Sequence, residues 1–264
     1  VEKERPMDAQ AIASYFDLTD KIILVTGGSR GLGFEMSRAF AQAGASVVIS
    51  SRKQEACERA AELIQRETGR HCLPLACHVG DWEACDELVE TVYERFDRID
   101  VLVNNAGMSP RYESLSTVTR ELWDKVMAVN LAGPFRLSAL VGEQMAHGAG
   151  GSIINISSTA AVAPSAAEIP YAAAKAGLNN LTAGLARTYA PKVRTNCIMP
   201  GPFLTDISDA WGEEVKQAIG AIVPLGRAGE PAEIIGSALY LASDASRYTN
   251  GAVIKVDGGM AYGS

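Results

Sequence analysis

From position 21 onward the chain alternates short apolar runs with longer amphipathic stretches. The runs at 21–28 (KIILVTGG), 45–50 (ASVVIS), 72–76 and 99–103 are apolar at nearly every position, as parallel strands covered on both faces are. Between them, 34–44 places Phe34, Met36, Phe40 and Ala43 at helical spacing and closes on a glycine, and 55–68 and 82–96 also read as helices. Such crossovers, roughly 10 to 15 residues each, suit parallel pairing. Beyond them, long helices over 121–145 and 171–189 flank a strand at 152–157, and strands follow at 194–199 and 252–256. The pattern predicts an α/β fold, a doubly wound seven-stranded parallel sheet in a single domain over 21–264. The polar leader, residues 1–20, carries no assigned element. There is no internal repeat, low-complexity tract or linker, and the densest Pro, Gly and Ala stretches fall at strand ends, where such sheets bind ligands.

Composition narrows the function. A length of 264 residues suits one such sheet, and 47% hydrophobic with 21% charged residues is enough for a large core. The 24 Lys and Arg against 31 Asp and Glu leave a net charge of −7, which argues against nucleic acid or an anionic membrane as partner. Five cysteines, without C-x-x-C spacing, fit a reducing cytoplasm. No apolar run is long enough for a membrane span, and the opening residues lack a signal-peptide core. The His71-Cys72 and Cys77-His78 pairs match no common zinc spacing, and no metal is expected.

Two motifs carry chemistry. TGGSRGLG at 26–33 follows a strand and opens a helix, so its glycines let the backbone approach a pyrophosphate seated on the helix N-terminus. Gly27, Ser29, Arg30, Gly31, Leu32 and Gly33 are its candidate cofactor contacts. Far downstream, Ser158, Tyr171 and Lys175 form an S-x12-Y-x3-K array. Tyr171 and Lys175 are one helical turn apart, and Pro170 suits a helix start. A nearby ammonium and the helix dipole are expected to lower the pKa of the tyrosine, whose phenol would transfer the proton that hydride addition to a carbonyl demands. Taken singly, each residue has an ordinary reading as a cap, a core tyrosine or a solvated lysine; it is their joint spacing that points to catalysis.

The spacing of the glycine turn resembles that of the short-chain dehydrogenase/reductase family, and the resemblance runs from about 21 to 259. It includes NNAG at 104–107, Asn130 in VMAVNLAG, Ser158 in NISS, YAAAK at 171–175 and the pair Pro200-Gly201. The resemblance implies a Rossmann-like fold and a catalytic set of Asn130, Ser158, Tyr171 and Lys175. In it the serine binds the substrate oxygen, the lysine also holds the nicotinamide ribose, and the asparagine supports a water relay. It further implies cofactor contacts at Asn105, Ala106, Gly107, Tyr171, Lys175, Pro200, Gly201 and Thr205. Where many members have Asp-Val after the third strand, this chain has His78-Val79, so only the Val79 backbone and the His78 position remain for the adenine.

Coenzyme choice rests on the end of the second strand. An acidic residue there would hold the ribose hydroxyls of NAD, whereas this chain has Ser50, Ser51 and Arg52, with Arg30 in the glycine turn. Two guanidinium groups, if they converge rather than lie solvated, would meet the extra phosphate of NADP, so NADP(H) is favoured over NAD(H). Residues 202–229 are expected to form a substrate lid. Phe203, Leu204, Ile207, Trp211, Ile219, Ile222 and Val223 either line an apolar pocket or pack the lid, while Glu168 is the only charge on the opposite wall, 159–169. Arg111 could meet a substrate carboxylate. The resemblance implies a homo-oligomer, tetramer or dimer, built on the two long helices. Three readings stand: an NADP(H)-dependent carbonyl reductase or alcohol dehydrogenase, the same enzyme class with NAD(H), and a non-catalytic dinucleotide sensor.

Overall fold

The computed structural model describes residues 8–206 and 213–261. Seven strands, β1 (Ile22–Thr26), β2 (Ser46–Ser51), β3 (Cys72–Ala76), β4 (Val101–Asn104), β5 (Gly151–Ile156), β6 (Val193–Pro200) and β7 (Val253–Val256), form one sheet. The spatial order is β3-β2-β1-β4-β5-β6-β7, and every neighbouring pair is parallel. The winding reverses between β1 and β4, which opens a crevice at the carboxyl ends of the strands.

The central runs, β1, β2, β4, β5 and β6, are buried on both faces, as their composition predicts, whereas the edge strands β3 and β7 are only partly buried. Ile23 and Val25 of β1 join a core cluster with Met36, Phe40, Ile64 and Leu241, whereas Ile22 and Leu24 point the other way, to Leu88, Val92, Leu137 and Val141. The first face is covered by α2 (Gly31–Gln42), α3 (Gln54–Thr68) and α9 (Ile235–Ala242), the second by α4 (Trp82–Phe96) and α6 (Gly133–His147). The sheet thus fixes the crevice from both sides.

Three features differ from the sequence reading. The leader holds a short helix, α1 (Ala9–Ser14), capped by Asp8, whose carboxylate accepts from the Ala11 amide at 2.8 Å. It then enters the core at Leu18, which is fully buried, and the Tyr15 carbonyl accepts from the Ala245 amide. The single helix expected over 121–145 is instead α5 (Arg120–Met127), a π-helical turn over Ala128–Ala132, and α6. Such a turn widens the backbone ladder by one residue, and such bulges often mark functional positions. Helix α9 was not anticipated.

The segment 202–229 leaves and re-enters the fold at one place. Leu204 N–H donates to the Gly229 carbonyl and Gly229 N–H to the Pro202 carbonyl, at 2.8 and 2.9 Å. Between them lies α8 (Glu213–Ile222), and Ile219, Val223 and Ala228 pack with Leu204 and Met260. Phe203 joins the first core cluster and Ile222 is exposed. Among the described apolar residues of this segment, packing therefore claims most; Ile207 and Trp211 lie outside the described residues.

Candidate active site

The glycine turn between β1 and α2 is shaped by close approach. Gly27 and Gly31 have positive φ, 64° and 54°, which costs glycine little and other residues more. A Cβ on Gly33 would collide with the Gly27 carbonyl and the Asn105 amide nitrogen. Asn105 fills that space because its Nδ2 donates to the carbonyls of Thr26, at 2.9 Å, and Gly27, at 3.2 Å. Thr26 Oγ1 in turn accepts from the amides of Asn105 and Ala106. The 104–107 motif is thus the clasp that holds the glycine turn. Helix α2 opens with no side-chain cap, since Arg30 at its N-cap makes none, so its first amides are free for an anion. The cradle fits a pyrophosphate, which is the test that a dinucleotide site must pass.

The residues expected to be catalytic converge beside this turn. Tyr171 lies in the first turn of α7 (Ile169–Thr188), with Pro170 at its start. Ser158, two residues beyond β5, caps a short 3-10 turn, Thr159–Ala161, through its Oγ, and its hydroxyl lies beside that of Tyr171. Lys175, one turn along α7, is almost wholly buried; its Nζ donates to the Ile156 carbonyl at 2.7 Å and sits 5.7 Å from the Tyr171 ring centroid. Asn130, fully buried in the π-helical turn, donates from Nδ2 to the Met108 and Val126 carbonyls and accepts at Oδ1 from the Met108 amide. A Cβ on Gly107 would come within 3.0 Å of Asn130 Oδ1 and 3.6 Å of Lys175 Nζ, so glycine there lets the two side chains meet the clasp.

The electrostatics differ from the expectation of a lowered tyrosine. Burial raises the Tyr171 pKa, the neighbouring Ser158 hydroxyl opposes it, and the Glu168 carboxylate adds to the rise. Lys175, with its Nζ 5.7 Å from the ring centroid, does not reverse the rise. Burial lowers the Lys175 pKa to about 8, while Cys197 nearby opposes. The Cys197 thiol is itself pushed up to about 12 by burial. The sequence does not mark that cysteine as a site neighbour, because it lies on β6, 26 residues beyond the tyrosine.

Comparison with known proteins settles the family. A family model described as enoyl-(acyl carrier protein) reductase matches residues 27–261. Over 245 residues the chain is 38% identical to a 3-oxoacyl-(acyl-carrier-protein) reductase, FabG, of Chlamydia trachomatis, covering 92% of this chain and 98% of that protein. The chain belongs to the short-chain dehydrogenase/reductase family. A human member, dehydrogenase/reductase SDR family member 4, is 37% identical over 92% of this chain and 88% of its own length. The solved gluconate 5-dehydrogenase of Burkholderia cenocepacia, in complex with NADP and tartrate, superposes with a TM-score of 0.89 at 32% identity, covering 94% and 98% of the two chains. As a short-chain dehydrogenase/reductase, the chain is an NAD(P)-dependent oxidoreductase of small molecules. No helix among the described residues is long and apolar enough to cross a membrane.

The outer parts of this dehydrogenase/reductase site show how its remaining residues are held. Ser29 Oγ donates to Ser51 Oγ at 3.0 Å, and Ser51 Oγ meets Cys57 Sγ at 3.1 Å, so the turn and the end of β2 are pinned together. Arg52 is exposed beside them. Arg30 is engaged elsewhere: its Nη1 pairs with Asp206 at 2.7 Å. Leu32 packs on the first core cluster. His78 turns its Nδ1 toward the Gly80 amide at 3.2 Å, and Val79 is buried with its carbonyl pressed against Gly133, where only a glycine leaves room. The loop carrying His78 and Val79 therefore also buttresses the turn that carries Asn130. Gly201, after Pro200, closes on β7 through its amide to the Val256 carbonyl, and Thr205 lies against Gly31. Among the described residues, no cluster of three or more metal-ligating side chains occurs.

Proposed function

We propose that this enzyme transfers a hydride between NADP(H) and a ketone or its secondary alcohol, with Tyr171 as general acid and base. The observation that carries the reading is the meeting of Tyr171, Ser158, Lys175 and Asn130 next to the glycine cradle. The dinucleotide supplies the hydride. The protein supplies the proton and the charge stabilisation. As the carbonyl oxygen gains charge, the Tyr171 hydroxyl donates its proton and the Ser158 hydroxyl donates a hydrogen bond to the same oxygen. A phenol raised by burial suits this direction, because it stays protonated at neutral pH.

Lys175 keeps positive charge near the phenolate that is left behind, and its pKa of about 8 leaves it charged at neutral pH and able to pass a proton on. Asn130 holds the π-helical turn open, so that main-chain groups there can seat a water that returns the proton. The pyrophosphate is expected to rest on the α2 N-terminus, with contacts from Gly27, Ser29, Gly31, Leu32 and Gly33. Asn105, Ala106, Gly107, His78 and Val79 would border the adenosine half, and Pro200, Gly201 and Thr205 the nicotinamide half.

NADP(H) is preferred because Ser51 and Arg52 replace an acidic residue at the end of β2. The pairing of Arg30 with Asp206 makes Arg52 the stronger candidate for the extra phosphate and leaves Arg30 to change partner. Residues 202–229 act as the lid, the long helices as the surface of a homo-oligomer, and the cytoplasm as the compartment. The test follows coenzyme absorbance while the protein meets NADPH or NADH and a panel of ketones. NADPH oxidation faster than NADH oxidation supports the proposal; turnover with NADH alone contradicts the coenzyme assignment, and coenzyme binding without turnover of any ketone favours a dinucleotide sensor.

A further inference from the structure

We propose that Glu168 sorts substrates by charge, favouring ketones that carry a cationic group and disfavouring those that carry a carboxylate. The inference rests on the carbonyl-reductase reading above and names its substrate class. Glu168 lies at the N-cap of α7, three residues before Tyr171, and is half-buried. It lines the same narrow cleft as Tyr171, together with Pro110, Tyr112, Leu122 and Pro170. Apart from the two tyrosine hydroxyls, the rest of that lining is apolar, so the carboxylate is the charge an incoming ligand meets.

The carboxylate is held in place. Its Oε1 accepts from the Ser165 hydroxyl at 3.0 Å and the Ser165 amide at 3.3 Å. Its Oε2 has no hydrogen-bond partner among the described residues, and the side chain caps no helix amide. The Tyr112 hydroxyl brackets it by donating to the Ala166 carbonyl at 2.7 Å and accepting from the Ile169 amide at 2.9 Å. The segment around Glu168 is thereby fixed to the loop that forms the facing wall. No cation pairs with Glu168 among the described residues, and the charged groups of the facing loop, Arg111 and Glu113, are solvent-exposed. The field of the carboxylate is felt at Tyr171, which it disfavours in the anionic form. A ligand carboxylate in this cleft would be repelled in the same way, and a ligand ammonium attracted.

A unit charge about 6 Å away, at an effective dielectric of about 40, alters binding by about tenfold, with opposite sign for cation and anion. The test uses three ring ketones of similar shape, each with its substituent opposite the carbonyl: N-methylpiperidone, methylcyclohexanone and oxocyclohexanecarboxylate. The quantity read is kcat/KM for each charged ketone divided by that for the neutral one, which cancels any effect on Tyr171 or on folding. The wild type is expected to prefer the cation over the anion, Glu168→Gln to shrink that preference by at least about tenfold, and Glu168→Asp to retain most of it. Turnover with a cation-to-anion preference unchanged in Glu168→Gln overturns the inference and leaves the carbonyl-reductase reading intact. Turnover of none of the three by wild type with coenzyme bound overturns both.

Discussion

Replacing Lys175 by Met tests the electrostatics of the site through stability, without reference to any substrate. The lysine is buried, and its pKa falls from 10.5 to about 8. Because the folded-state pKa is depressed for a cation, the unfolded chain binds more protons between those values, and stability rises with pH across that window. Below about pH 8 the folded state carries the whole cost of the buried charge, about 3 kcal/mol for the fall from 10.5 to about 8. Near pH 10 less than about 1 kcal/mol remains. Methionine keeps the volume and removes the charge, but it leaves the Ile156 carbonyl without its donor, a loss of about 1 to 3 kcal/mol at every pH. The variant should therefore match or exceed the wild type in stability near pH 7, by up to about 2 kcal/mol, and fall behind it near pH 10. Urea denaturation of both proteins at the two pH values reads the difference. A relative change of about 2 to 3 kcal/mol against the methionine variant on going to high pH is expected. A difference independent of pH would show that Lys175 carries no buried-charge cost and would refute the reasoning.

Two further substitutions probe the coenzyme site. Gly33→Ala drives a methyl group into the Gly27 carbonyl and the Asn105 amide, so the turn must open; dinucleotide affinity by fluorescence titration should drop more than about tenfold, and unchanged affinity would refute the close-approach argument. Arg52→Ala should weaken NADPH far more than NADH in the same titration, by about tenfold or more for the loss of one charge-assisted phosphate contact; equal effects on both would remove Arg52 from coenzyme choice.

Much of this fold was legible because its central strands are buried on both faces, and such strands write themselves as unbroken apolar runs. All seven appear within a few residues of their predicted ends. The site motifs were legible for a different reason: Gly33 leaves no room for a side chain, a Cβ on Gly107 would crowd Asn130 Oδ1, and Tyr171 and Lys175 sit one turn apart, so spacing survives in the chain. The π-helical turn at Asn130 left no such trace, since one extra residue in a helix barely disturbs its apolar stripe. Helix α9 was missed because its run of Ile235, Ala238, Leu239 and Leu241 is short and apolar nearly all round, without the amphipathic contrast that marks its neighbours. The Arg30 pairing was invisible because Asp206 is far along the chain, just past the end of β6, and only the fold brings it close. The rise in the Tyr171 pKa depends on burial and on Glu168, which helical spacing to Lys175 does not report.

The most direct test of the central claim is the turnover of Tyr171→Phe, measured as NADPH oxidation with whichever ketone the wild type reduces, alongside NADPH binding by fluorescence. Phenylalanine keeps the ring in its half-buried place and deletes only the hydroxyl that meets Ser158. Loss of turnover by a factor of at least about 10² with NADPH affinity retained is the predicted result. Near-wild-type turnover with the hydroxyl gone would contradict the assignment of Tyr171 as the proton donor.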